Sequence, residues 1–227
     1  MSSALTYRVI SIGTLSAHEH WPSSQARRTP HATTTLISSG DRLILVDPGL
    51  PPQAIAARLN ERTGIQPGDI TDIFLTNFRP AHRGGLEAFP DAEWWVAENE
   101  RERIGRSLLA RAESEEDHAV RRILEAEIAL LKKCKAAPDN LAPRVDLFPV
   151  PGFTPGTCGL LLAHATSTTV IAGDAVATVE HLERVQVLRG AFDIEAAQES
   201  LIEVLEIADT IIPGHDNVVL NPTRQKR

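Results

Sequence analysis

The sequence predicts a mixed α/β fold made of two strand-rich halves, each with helices on its outer side. Three observations predict it. Short β-branched runs bounded by turn formers recur in both halves, helix-period stripes lie between and after them, and one long stretch, Glu98 to Lys135, is nearly free of Gly and Pro. At 227 residues the chain suits one domain, 1–227, with the segment 98–136 as a helical insertion.

Leu5 to Ile12, Thr33 to Ser38 and Arg42 to Val46 read as strands, and the polar, Pro-containing stretch Ser16 to His31 as a loop. Pro52 to Arg62 places Ile55 and Leu59 four apart behind a Pro suited to a helix start. Ile70 to Thr76 and Glu93 to Ala97 are the next strands. Val120, Leu124 and Leu131 then step at helical spacing, which predicts one or two amphipathic helices broken near Glu113 to Asp117. Such a pair packs on its own domain, caps the active-site edge or forms a contact between copies. Strands resume at Val145 to Pro149, Gly159 to His164 and Thr168 to Ala172. Helices are expected at Val176 to Val187 and Ile194 to Ala208, and a last strand at Thr210 to Ile212.

The formal charge of −7 argues against non-specific nucleic-acid binding, which needs a basic face. No apolar run reaches the roughly 18 residues of a membrane span and no leader pattern opens the sequence, so a cytoplasmic protein without membrane contact is expected. Cys134 and Cys158 sit in unlike contexts, consistent with a reducing compartment.

The chemistry-bearing stretch is Thr76-Asn77-Phe78-Arg79-Pro80-Ala81-His82-Arg83-Gly84-Gly85, after an apolar strand. It resembles the T-H-x-H-x-D-H-x-G-G loop of the metallo-β-lactamase superfamily. Asn77, Arg79 and Ala81 stand where that loop has His, His and Asp, and His82 keeps the last His. Four further landmarks follow the family's order: Asp47-Pro48-Gly49, Pro151-Gly152-Phe153-Thr154-Pro155-Gly156 with Phe153 at a ligand-His position, Gly173-Asp174, and Pro213-Gly214-His215. The resemblance implies an αββα sandwich of two mixed β-sheets with helices outside.

It also implies where metals would bind. The first site of dinuclear relatives corresponds to Asn77, Arg79 and Phe153. A guanidinium has no lone pair to give and Phe153 has no donor atom, so this site is expected to be empty. The second corresponds to Ala81, His82, Asp174 and His215. Two imidazoles and a carboxylate suffice for one Zn²⁺, Fe²⁺, Mn²⁺ or Ni²⁺. The competing expectation is a metal-free network in which Arg79 neutralises Asp174. His18, His20 and His181 are further candidates for the pocket, and His31 a weaker one; Asp47 reads as a turn residue capping neighbouring amides. With a metal, the resemblance implies hydrolysis of an ester, lactone, thioester or amide, with Asp174 and Arg79 in catalytic roles. Without one, Arg79 and Arg83 would draw a small anionic ligand into the pocket, or the surface would serve a protein partner. The 98–136 helices are also a candidate homo-oligomer contact.

Overall fold

The computed structural model describes residues 4–18 and 27–224. Strands β1 (Thr6–Ser11), β2 (Thr34–Ser39), β3 (Arg42–Val46), β4 (Asp72–Leu75), β5 (Glu93–Val96) and β6 (Lys135–Ala136) form one sheet in that order. β1 to β3 are antiparallel neighbours, while β3 to β6 run parallel. The second sheet is ordered β12-β11-β10-β9-β8-β7, from β7 (Asn140–Ala142), β8 (Val145–Pro149), β9 (Cys158–Ala163), β10 (Thr168–Gly173), β11 (Thr210–Pro213) and β12 (Val219–Leu220). It is antiparallel except for the β10–β11 pair.

Side-chain alternation along the strands builds three apolar layers. Ile37, Ile44, Val46 and Phe74 turn to the inner face, where they meet Leu160, Leu162, Ile171 and Ile212 of the other sheet. Leu36, Leu45, Ile73 and Leu75 turn outward, under helices α1 (Pro52–Thr63), α3 (Glu98–Ser114) and α4 (His118–Lys133). Val170, Ala172 and Ile211 turn outward on the second sheet, against Leu182 of α5 (Val179–Arg184) and Leu201, Val204 and Leu205 of α6 (Ile194–Ile207). The result is helix, sheet, sheet, helix: the αββα sandwich.

Local chemistry sets the helix ends. Pro52 opens α1, and Gly64, at φ 76°, closes it in the left-handed region. Asp117 caps α4 and Asp193 caps α6, each accepting from backbone amides. The break between α3 and α4 falls within the stretch that the sequence marks. Leu124 and Leu131 pack into the domain's own core, whereas Val120 and Ile123 of the expected stripe are exposed.

Two expected elements are shorter than their periodicity suggests. The run Val176 to Val187 is helical only over α5, because Thr178 caps it and Val185 ends it at φ 51°. The strand expected from Ile70 to Thr76 is confined to β4, since Ile70 closes a 3₁₀ turn and Thr76 already turns into the site. The short strands β6, β7 and β12 were not expected; they carry too few residues for a period to show. Among the described residues no helix is long and apolar enough to cross a membrane.

Candidate metal centre

Three turns at one edge of the sandwich bring His82, Asp174 and His215 together. His82 belongs to α2 (Pro80–Arg83), the short helix after β4, while Asp174 follows β10 and His215 follows β11. Backbone proximity makes the meeting possible. A Cβ on Gly214 would lie 2.8 Å from the Gly173 carbonyl, and one on Gly173 (φ 54°) would lie 2.5 Å from Thr76 Oγ1. Only glycine lets these turns approach so closely.

Each imidazole is held by one nitrogen and presents the other. His82 Nδ1 lies 3.0 Å from Asp47 Oδ2 and its Nε2 3.0 Å from Asp174 Oδ2. His215 Nδ1 donates to the His31 carbonyl over 3.0 Å, leaving Nε2 on the Asp174 side. His215 Nε2 stands 3.0 Å from Asp174 Oδ1, near enough to attract it but too misaligned for a hydrogen bond, so this buried Oδ1 has no hydrogen-bond partner. One donor atom from each of the three residues falls within 4.8 Å of the others, and all three residues are buried.

The electrostatics follow from that packing. Burial opposes charge on His82, but Asp174 and Asp47 on its two nitrogens outweigh it and raise the pKa to about 10. Burial likewise opposes charge on Asp174, and the neighbouring imidazoles of His82 and His215 hold its carboxyl well below the usual range.

The donor set fits one cation. Two Nε2 atoms fixed through their Nδ1 partners, a carboxylate and an unsatisfied carboxylate oxygen make a preoriented site with outer partners in place. The positions of a second site, Asn77, Arg79 and Phe153, offer no imidazole or carboxylate. Asn77 Nδ2 donates to Asp174 Oδ2 over 3.0 Å, and Asn77 Oδ1 accepts from the Arg79 amide. Phe153 is buried, and the Arg79 guanidinium lies 4.7 Å from its ring centroid. The Arg79–Phe153 stack thus replaces what would be ligands.

This corrects two expectations. Arg79 does not pair with Asp174; the face of Phe153 holds it instead, by a cation–π contact worth about 1 kcal/mol. Arg83 does not face the pocket: it donates to the Phe78 carbonyl, lies 4.3 Å from the Phe78 ring centroid and pairs with Glu127 of α4.

A cavity of about 580 Å³ opens over the centre, lined by Arg79, Ala81 and Phe153, by the three candidate ligands, and also by His18, His181 and Arg189. His18 and His181 therefore belong to the pocket as expected. His20 lies outside the described residues. His31 reaches the centre through its carbonyl, while its ring contacts the Thr29 and Ile12 carbonyls. Cys134 and Cys158 are buried thiols whose pKa values burial pushes up to about 11 and about 12, which makes them unreactive.

Some site residues escaped sequence reasoning. Asp47, at φ 48°, accepts from the Thr76 amide and hydroxyl, and that hydroxyl stands 3.2 Å from His82 Nδ1, so its turn position was legible and its reach to the imidazole was not. Glu100, fully buried in the first turn of α3, accepts from the amides of Phe78 and Gly156 and from the Thr154 hydroxyl. It ties the His82 loop to the Phe153 loop. Nothing in its local sequence marks it, since a Glu near a helix start ordinarily answers the helix dipole.

Sandwich and centre together define an αββα protein with a candidate metal centre at the sheet edge. The family model for the metallo-beta-lactamase superfamily matches residues 28–215, and the chain belongs to that superfamily. Solved structures share the fold. A Thermotoga maritima protein provisionally described as a metallo-beta-lactamase aligns with a TM-score of 0.68 at 17% identity, over 96% of this chain and 100% of that one. A variant of AiiA from B. thuringiensis, with N-decanoyl-L-homoserine bound at its active site, aligns at 0.64 and 22% identity over 99% and 96%. AidC, a dizinc quorum-quenching lactonase in complex with a product, aligns at 0.60 and 22% over 77% and 67%. At these identities the likeness is one of fold. A search of the curated proteins returns no match.

Proposed function

We propose that this protein is a hydrolase that uses one divalent cation, held by His82, Asp174 and His215, to cleave a small ester, lactone, thioester or amide. The observation that carries the reading is the pair of imidazoles, each anchored through Nδ1 and each presenting Nε2 to a different oxygen of one buried carboxylate. Such outer anchoring orients metal ligands. A Zn²⁺, Fe²⁺, Mn²⁺ or Ni²⁺ bound there would lower the pKa of a water and polarise the carbonyl under attack.

The chain's own residues supply the rest. Arg79, fixed on Phe153, sets a permanent positive charge on the cavity wall, suited to a developing oxyanion or to a carboxylate on the substrate. Leu15, Phe153 and Leu188 line the same cavity and give an apolar surface for the substrate body. The lactonase neighbours add weight to a carbonyl–oxygen substrate. On the same footing we read the chain as one domain with 98–136 as an insertion, working in the cytoplasm, and place any homo-oligomer contact on exposed Ile123 and Leu109 of the α3–α4 pair.

One observation favours a second reading. The raised pKa of His82 places an imidazolium between Asp47 and Asp174, so the network is held together without metal, which is what a metal-free binder with Arg79 on its cavity wall would need. Chelator treatment followed by add-back of single metals, with an ester and lactone panel, separates the two. Turnover that disappears with chelator and returns with a defined metal supports the hydrolase. Anion affinity that is equal with and without metal, with no turnover, supports the binder.

A further inference from the structure

The cavity holds a second cluster of titratable groups that the metal centre does not use. His18, in the loop after β1, and His181, in α5, are both buried and both line it, with ring centroids 4.6 Å apart at 55°. Thr178 stands between them, its Oγ1 3.0 Å from His18 Nε2 and 2.9 Å from His181 Nδ1. Glu180 Oε2 lies 3.8 Å from that same His18 nitrogen. Burial opposes charge on Glu180, but contacts from Thr178, its own amide and the two imidazoles hold its carboxyl below the usual range. Glu180 thus sets a carboxylate beside the nitrogen of His18 that faces Thr178.

Elimination gives this cluster a task. Ala81 lines the cavity at a position that carries no carboxylate, so no acid there can hand over a proton. With the proposed ligands set aside, the titratable side chains among the described lining residues are Arg79, Arg189, His18 and His181. Guanidinium groups do not give up protons near neutral pH. The imidazoles do. A hydroxyl carries one proton and two lone pairs, so Thr178 can take a proton from one ring while passing its own to the other.

We propose that His181 is the general acid–base residue of this site, with Thr178 and His18 as positioning residues that resupply its proton; this rests on the hydrolase reading above. Hydroxide attack on the carbonyl carbon forms a C–O bond and moves the π pair onto oxygen. Collapse of the adduct restores the π bond and expels the leaving atom with the electron pair of the broken bond. That atom takes the Nε2 proton of His181, Nδ1 takes the Thr178 hydroxyl proton, and the hydroxyl takes the Nε2 proton of His18. His18 starts as imidazolium and ends neutral; a proton from water, taken up at His181 Nε2 once the product has left, sends the relay back the other way and restores both rings. Among the described residues, the charged and titratable groups around the pair include Glu180 on the same helix, Asp216, whose Oδ2 accepts from the Val179 amide, and Arg79, Arg189, Asp174, His82 and His215 on the cavity.

The experiment compares wild type with His181→Gln, His18→Gln, Thr178→Val and Thr178→Ser, metal-loaded, on esters that differ in leaving-group acidity. His181→Gln is expected to lower kcat about 100-fold or more on alkyl esters. The deficit should shrink sharply for nitrophenyl esters, whose leaving group needs no proton, while metal content stays unchanged. Thr178→Val and His18→Gln should shift the alkaline limb of the kcat–pH profile, where the acid loses its proton, and Thr178→Ser should restore it. A readout independent of turnover is ¹⁵N NMR of the histidine rings: His18 and His181 should titrate as a coupled pair in wild type and separately in Thr178→Val. Equal loss across all leaving groups, or independent titration in wild type, overturns the proposal while leaving the hydrolase reading intact. A metal-loaded wild type inert toward every substrate overturns the hydrolase reading and this proposal with it.

Discussion

Asp47 Oδ2 lies 3.0 Å from His82 Nδ1, so a carboxylate at the end of β3 orients the imidazole that α2 offers to the centre. Asn tolerates the left-handed backbone that Asp47 adopts, which makes Asp47→Asn a clean probe of that contact. The substitution is expected to lower metal affinity about 10- to 100-fold with the fold retained. Competition against a chromophoric chelator measures it, and unchanged affinity would show that Asp47 only shapes the turn.

Metal and proton compete for His82. With its pKa raised from 6.5 to about 10 in the metal-free protein, a cation taking Nε2 must expel a proton. Apparent affinity should therefore climb by about tenfold per pH unit across that window, and binding should release protons into weak buffer. Stability of the metal-free protein runs the other way. The contribution of His82 is fully present below 6.5 and is lost as pH rises through about 10. Urea unfolding at several pH values, with chelator present, reads this directly.

Glu100 links the two loops that frame the cavity. Glu100→Ala strands two buried amides and a hydroxyl and is expected to destabilise by about 3 kcal/mol or more. Glu100→Gln keeps an acceptor and should cost less. Burial raises the Glu100 pKa against the opposing hydrogen bonds, so its favourable contribution is complete below 4.5 and falls as pH rises through the shifted value. The Gln variant should lack that fall in urea titrations.

The Arg79–Phe153 stack and Asn77 take the place of a first metal site. Replacing Asn77, Arg79 and Phe153 together by His supplies three imidazoles there. Metal content by elemental analysis should then rise from one to two ions per chain. A triple variant still at one ion would mean that the loops have moved beyond what side chains can restore.

The sequence carried the fold because strand period, turn residues and the order of five landmark loops all describe local backbone. Those landmarks also single out His82, Asp174 and His215, each in a turn recognisable alone, and the fold brings the three side chains together. What stayed hidden depends on packing between distant segments. Asp47 reads as a turn former until β4 is laid beside β3, and Glu100 reads as a dipole partner until α3 is packed under both loops. The competing expectation paired Arg79 with Asp174 on Coulomb attraction alone. In the fold Asn77 and the two imidazoles already surround that carboxylate, and the Phe153 ring lies nearer the guanidinium's path. Thr178 falls inside the helix expected from Val176 to Val187, and its place between two histidines needs the loop after β1 to be seen against α5.

The most direct test is anomalous diffraction from crystals of metal-loaded protein, with data on both sides of the metal's absorption edge. The account expects one peak per chain, about 2.0–2.2 Å from His82 Nε2, His215 Nε2 and an Asp174 oxygen. A pocket without a peak, or a peak bound by other residues while these three still contact one another, would contradict it.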